Sequence, residues 1–353
     1  MGGGAKETDI FRNFGPNHLT SINWLDFYTR TAVVSSLVQG VYSLQRDIHH
    51  KRKFIANRYW ESFDFSLAET LINKDDDSIF GAVFKYNDYH NKPHHERPPR
   101  YVIAFRGTML ELETCLSDIK EDIRCFFDNF NNSSRLKQAI QAIDLVLKKY
   151  TTDTTSVWLA GHSLGAATAL LAGKTMAKRG VTLKTYAFSP PSSSVLLEQI
   201  FDSVVVKDML RLAESFIKVI VAKFADLQMQ KDDPRTAAWT PYIYVNPSDL
   251  FCAEYSGSLK FKYLMAAIKL GKLESIAAKI SFWSILFREE REPIQLFSSA
   301  HMTVNMNESV LETDDHGVKQ LWDKFKKAHG IEQWWEPNPS LRKWESYSFR
   351  PSY

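Results

Sequence analysis

The stretch SVWLAGHSLGAATALLAG, residues 156–173, decides how the chain folds. Its opening residues, Val157 to Ala160, form an apolar run of the kind found in strands buried on both faces. From Ala166 onward alanine and leucine dominate, which favours a helix, and Gly180 supplies the stop. Between the two lies Gly161-His162-Ser163-Leu164-Gly165, a G-x-S-x-G turn. A serine hydroxyl is a poor nucleophile unless its oxygen is presented beside a base and faced by backbone donors. A tight strand-to-helix turn presents it that way, but it strains the backbone and crowds the neighbouring turns. Glycines two residues before and two after remove the Cβ atoms that would collide. The helix starting behind the serine adds N–H groups and a positive dipole end. His162 is expected to pack beneath the turn rather than act as the base, because adjacent side chains diverge there. Taken alone, the motif also fits an ordinary strand-helix turn with an unreactive serine.

Further strands and helices alternate on both sides of this unit. Upstream, apolar residues recur near helical spacing from Ser21 to about Arg52 (Ile22, Leu25, Ala32, Leu37, Val41, Leu44), predicting a long amphipathic helix. SIFGAVFKY (78–86) and YVIAFRGT (101–108) read as strands, and residues 133–150 as a helix. Residues 87–100 read as a polar loop, whose His90, His94 and His95 lack any suitably spaced partner for a metal. Downstream, LKTYAFSPP (183–191), YIYVNPSD (242–249) and EPIQLFSSAHMTVN (292–305) read as strands. Long helical stretches fall at 204–229 and 258–288, within insertions near 195–235 and 258–290. The pattern predicts an α/β fold with a mostly parallel sheet covered by helices. We expect a loose tail over residues 1–20 and a single domain over 21–353.

Composition narrows the function classes. The 353 residues are 44% hydrophobic and 13% aromatic, enough for a sizeable core. A formal net charge of +3 is too small to point to a nucleic-acid partner, although a pI near 8.5 permits contact with an anionic lipid surface. Three cysteines (Cys115, Cys125, Cys252), with no CxxC, fit a reducing compartment and no metal site. No signal-peptide core or bilayer-spanning run is evident, so a cytoplasmic protein is expected, with no cofactor and no obligate protein partner.

GHSLGAATALLAG together with YVIAFRGT resembles the fungal-type, or class 3, triacylglycerol lipases, and especially their plant lipase-like branch. The resemblance runs from about residue 78 to residue 336 and implies an α/β-hydrolase fold. It implies a serine hydrolase acting on lipid or acylglycerol esters, with helical insertions that serve as a lid in such enzymes. It also implies an oxyanion hole built from Thr108, which follows Phe-Arg-Gly, and from the N–H of Leu164. One departure stands out. The family often carries Phe-Gly-x-Pro-Arg on the strand after the nucleophile helix, whereas this chain reads Tyr186-Ala187-Phe188-Ser189-Pro190-Pro191.

The fold order is Ser, then Asp or Glu, then His. Asp249 follows a strand and a Pro-containing turn, the setting of the family's acid, although it also suits the cap of a helix starting near Leu250. Three histidines lie beyond it. His329, in AHGIEQWW, resembles the family's base segment and is the first choice; it equally suits a helix end before Gly330. His301, in SSAHMTVN, is the alternative base, and His316, in ETDDHG, the third. A short-chain esterase or acyltransferase would share this machinery, and a catalytically silent binding protein of the same fold is the alternative from another class.

Overall fold

The computed structural model describes residues 19, 21–49, 58–87, 97–109, 134–151, 153–191, 234–249, 252, 299–307 and 326–349. Residues 1–18, His90, His94 and His95, the helical stretches 204–229 and 258–288, Cys115, Cys125 and His316 lie outside those residues. The elements used below are helix α1 (Phe27–His49), strands β1 (Phe65–Ile72), β2 (Ile79–Tyr86) and β3 (Tyr101–Phe105), helix α2 (Ser134–Lys149), strand β4 (Val157–His162), helix α3 (Leu164–Lys178), and strands β5 (Lys184–Phe188), β6 (Tyr242–Val245), β7 (Ala300–Asn305) and β8 (Trp344–Phe349).

The eight strands form one sheet in sequential order, with β3 through β7 parallel and β1, β2 and β8 antiparallel at its two flanks. This is the mostly parallel sheet that the alternating strands and helices predict. Successive residues of a strand face opposite sides. In β3 and β4, Tyr101, Ile103, Phe105, Val157 and Leu159 meet Ala139, Ile143 and Val146 of α2 and Ala169, Ala172 and Met176 of α3. Their neighbours Val102, Ala104, Trp158 and Ala160 meet Val34, Leu37, Val38 and Val41 of α1 on the other face. Both faces are covered, so both registers of a strand must be apolar, and the strand reads as a continuous run.

Helix α1 differs from the amphipathic expectation. Every residue from Thr31 to Val41 is buried, the polar ones included. Ser35 Oγ donates to Thr31 O (2.9 Å) and Ser36 Oγ to Ala32 O (2.6 Å), so these hydroxyls are satisfied by their own helix. Thr31 exchanges a 2.9 Å hydrogen bond with Tyr244 of β6. Gly40 admits the ring of Trp60, which would lie 3.2 Å from an added Cβ. The helix is clamped between the sheet and the turn Ile331–Trp335, whose Ile331, Trp334 and Trp335 join the same core. Leu25, counted in the helical pattern, precedes the helix and is exposed.

Two strands had no counterpart in the sequence reading. β1 is an outer strand with a half-exposed, mixed pattern, and β8 lies in the segment read only as a Trp-rich tail. Both sit at sheet edges, where one-sided burial leaves no apolar run to recognise. Of the segment 292–305, the described strand covers only Ala300–Asn305.

Candidate active site

The C-terminal ends of the parallel strands lie along one edge of the sheet, and three loops meet there. Ser163 stands between β4 and α3 with φ +55° and ψ −127°, a backbone conformation that L residues rarely adopt. Such a conformation costs about 1–3 kcal/mol and persists only when the surroundings enforce it. Here the Ser163 N–H donates to Phe188 O of β5 (2.9 Å), and the Ser163 carbonyl accepts the Ala166 N–H (2.8 Å). The flanking glycines are required by contact. A Cβ on Gly161 would lie 2.1 Å from Gly165 O, and one on Gly165 would lie 2.3 Å from Phe105 O. Leu164 opens α3, directly after Ser163, so its N–H has no intrahelical acceptor.

The loop after β3 comes up against this turn. A Cβ on Gly107 would sit 2.7 Å from Ser163 Cβ, so glycine there lets the two backbones close. Arg106, read in the sequence only as part of the Phe-Arg-Gly pattern, is buried beneath the loop. It donates from Nε to Ile79 O (2.5 Å) and from a terminal nitrogen to Gly107 O (2.7 Å). Burial lowers its pKa to about 10, which still leaves it charged at neutral pH. Thr108 follows and is half-buried.

The acid and the histidine meet from two separate segments of the C-terminal third of the chain. His329 Nδ1 lies 2.8 Å from Asp249 Oδ2 across 80 residues of sequence, with the two side chains 2% and 0% exposed. The His329 ring centroid is 4.8 Å from that of His162, the residue preceding the serine. His301 is placed elsewhere. It is the second residue of β7, paired with Tyr242 at the start of β6 and hence toward the opposite end of the strands from Asp249. Its Nδ1 contacts Ser348 Oγ at 2.8 Å, and its ring stacks on Tyr242. The structure therefore brings Asp249 together with His329 and not with His301. Asp249 Oδ2 is engaged by both His329 and Cys252, while the helix start near Leu250 that its side chain could cap lies outside the described residues.

Four groups at this edge were not picked out from the sequence. The Cys252 thiol, counted there only for redox class, donates to Asp249 Oδ2 (3.1 Å). Burial, reinforced by that carboxylate, raises the thiol pKa well above its ordinary value. Gln333 donates from Nε2 to Ala328 O (2.7 Å) and Gly330 O (2.8 Å), on either side of His329. Its Oε1 accepts from Asn246 Nδ2 (2.9 Å) and Asn305 Nδ2 (3.0 Å), at the ends of β6 and β7. The only advance signal was the position of Gln333 four residues after His329. Ser189, at the point where the class 3 pattern carries glycine, takes φ +47°, a backbone conformation that favours glycine. Among the described residues no cluster of histidine, cysteine and carboxylate side chains could hold a metal ion, and no helix is long and apolar enough to cross a membrane.

Comparison with known proteins agrees with this architecture. Residues 102–215 match the family model described as lipase (class 3). The protein named GDSL esterase/lipase At4g10955 of Arabidopsis thaliana is 36% identical over 349 residues, spanning 93% of this chain and 95% of that one. The serine of this chain nonetheless stands in GHSLG, and the string GDSL does not occur in it. Solved structures with some likeness include the lipase from Rhizopus microsporus var. chinensis (17% identity, 62% of this chain and 67% of that one, TM-score 0.32). Another is the hyperthermophilic esterase from the archaeon Pyrobaculum calidifontis (12% identity, 61% and 72%, TM-score 0.22). Family membership rests on the family match and the Arabidopsis relative, not on these fold likenesses. With its strand-serine-helix turn at the edge of a mostly parallel sheet, the chain belongs to the class 3 lipase family and is a carboxylic ester hydrolase of α/β-hydrolase architecture.

Proposed function

We propose that the chain hydrolyses lipid or acylglycerol esters through Ser163, His329 and Asp249, by way of an acyl-enzyme. One observation carries the reading: His329 and Asp249 meet at 2.8 Å, almost without solvent, beside the strained turn that bears Ser163. A carboxylate oxygen can only accept, so the His329 hydrogen sits on Nδ1 and the Nε2 lone pair is left to take the serine proton. Ser163 Oγ attacks the ester carbonyl as that proton moves to His329. The oxygen of the tetrahedral intermediate is met by the N–H of Leu164 and by the N–H and hydroxyl of Thr108. Collapse expels the alcohol, which takes the proton from His329, and leaves the acyl group on Ser163. Water, deprotonated by His329, then releases the acid and restores the hydroxyl. The family match supports lipid or ester substrates, and the mildly basic pI of about 8.5 is compatible with working at an anionic lipid surface.

The test is covalent labelling by a fluorophosphonate together with hydrolysis of p-nitrophenyl esters of increasing acyl length. Wild type is expected to be labelled at Ser163 and to prefer long chains. Ser163→Ala should lose both labelling and turnover, and His329→Ala should lose turnover by several orders of magnitude. His301→Ala should stay within about twofold of wild type, because surface changes away from the site usually have small effects. Turnover retained in His329→Ala but lost in His301→Ala would refute the assignment of the base, and a preference for the shortest esters would refute the lipid substrate.

A further inference from the structure

A chain of hydrogen bonds runs through the site, and the ester chemistry makes no use of it. His162 Nε2 lies 2.8 Å from the backbone oxygen of His329, His162 Nδ1 lies 2.8 Å from the Tyr42 hydroxyl, and the Gly107 N–H lies 2.7 Å from that same hydroxyl. One end fixes every proton along the chain. A backbone carbonyl only accepts, so His162 must carry its hydrogen on Nε2 and donate it to His329 O. With burial lowering its pKa to about 3, the imidazole is neutral and Nδ1 holds a lone pair. Tyr42 must therefore donate its hydroxyl hydrogen to Nδ1, and its oxygen is then free to accept the Gly107 N–H. Each group has one role, and no alternative arrangement satisfies all three contacts.

The groups joined in this way are the ones whose spacing matters. Gly107 precedes Thr108 and touches the serine Cβ position. His162 precedes Ser163, and the carbonyl it holds belongs to His329. Tyr42 comes from α1, which is anchored in the core on both sides of it by Val41 and Leu44. The loop after β3, the serine turn and the histidine segment are thus tied to one another by hydrogen bonds. We propose that Tyr42 and His162 are positioning residues, a proton-ordered strut that sets the separation of Ser163, His329 and the oxyanion loop. The proposal rests on the triad reading above. A displacement of about 1 Å in such a site can cost on the order of a hundredfold in rate, so a strut of this kind should be visible in kcat.

The experiment compares Tyr42→Phe, His162→Leu and His162→Gln with wild type. The readouts are kcat and KM on a p-nitrophenyl ester, the rate of fluorophosphonate labelling, the thermal midpoint, and nitrogen NMR of labelled histidines at pH 7. Tyr42→Phe removes one oxygen and is expected to lower kcat and labelling about tenfold, with KM within about twofold. His162→Leu should lose on the order of a hundredfold. His162→Gln, whose amide N–H can reach where Nε2–H donates, should recover much of that loss. NMR should show His162 neutral with its hydrogen on Nε2. A Tyr42→Phe variant with wild-type kcat, or a His162 protonated on Nδ1, overturns the strut while leaving the triad standing. A wild-type chain that neither turns over ester nor takes the probe overturns the triad reading, and the strut with it.

Discussion

Replacing Gln333 by leucine should destabilise the protein far more than a half-buried side chain ordinarily would. The Gln333 amide uses all four of its hydrogen-bonding positions, donating to Ala328 O and Gly330 O and accepting from Asn246 and Asn305. Leucine has a similar bulk and can make none of these bonds. At a net of about 0.5–1.5 kcal/mol each, the four together come to roughly 2–6 kcal/mol. The upper half of that range is the better expectation, because Asn246 and Asn305 are 4% and 2% exposed and would be left with buried, unanswered N–H groups. Whole-protein stability is typically about 5–15 kcal/mol, so the loss is a large fraction of it. Urea unfolding at pH 7 should show a lowered midpoint with an unchanged slope. Adding Asn305→Ala to the leucine variant should cost about 1 kcal/mol less than in wild type, because its partner is already gone. A loss below about 1 kcal/mol, or full additivity of the two changes, would refute the claim that this amide braces the His329 segment.

Two further outcomes follow from the same geometry. Ser163→Gly should be more stable than Ser163→Ala by about 1 kcal/mol, since glycine alone adopts φ +55° without strain; equal thermal midpoints would show that the turn stores none. Stability should also fall in acid because of His162. Its pKa drops from 6.5 in the ordinary state to about 3 when folded, chiefly by burial, with the neighbouring His329 adding to the fall and Asp249 opposing it. Below pH 6.5 the unfolded chain binds a proton that the folded chain refuses. The contribution is therefore intact above pH 6.5 and is lost toward pH 3, at about 1.4 kcal/mol per pH unit. His162→Gln should show a shallower acid limb in urea midpoints, and an identical limb would remove His162 as the cause.

The serine turn was readable because the glycines it needs stand beside the serine in sequence. Gly161, Ser163 and Gly165 lie within five residues, and the collisions that exclude a Cβ come from the strand and helix on either side and from neighbouring β3. The parallel core was readable as well, since strands buried on both faces are apolar at every position. Only the tertiary structure decided the pairing between distant segments. Sequence order allowed Asp249 three histidines, and only the family resemblance favoured His329 among them. The fold put His301 toward the far end of β7, against Ser348, and carried His329 to Asp249. The braces were less visible still. Tyr42, Gln333, Asn246 and Asn305 form no motif, because a hydrogen bond needs only a donor and an acceptor about 3 Å apart and is indifferent to how much chain lies between them. Local sterics and periodicity therefore wrote the serine turn and the sheet into the sequence, whereas the choice of histidine and the bracing of its loop depend on contacts that exist only once the chain has closed on itself.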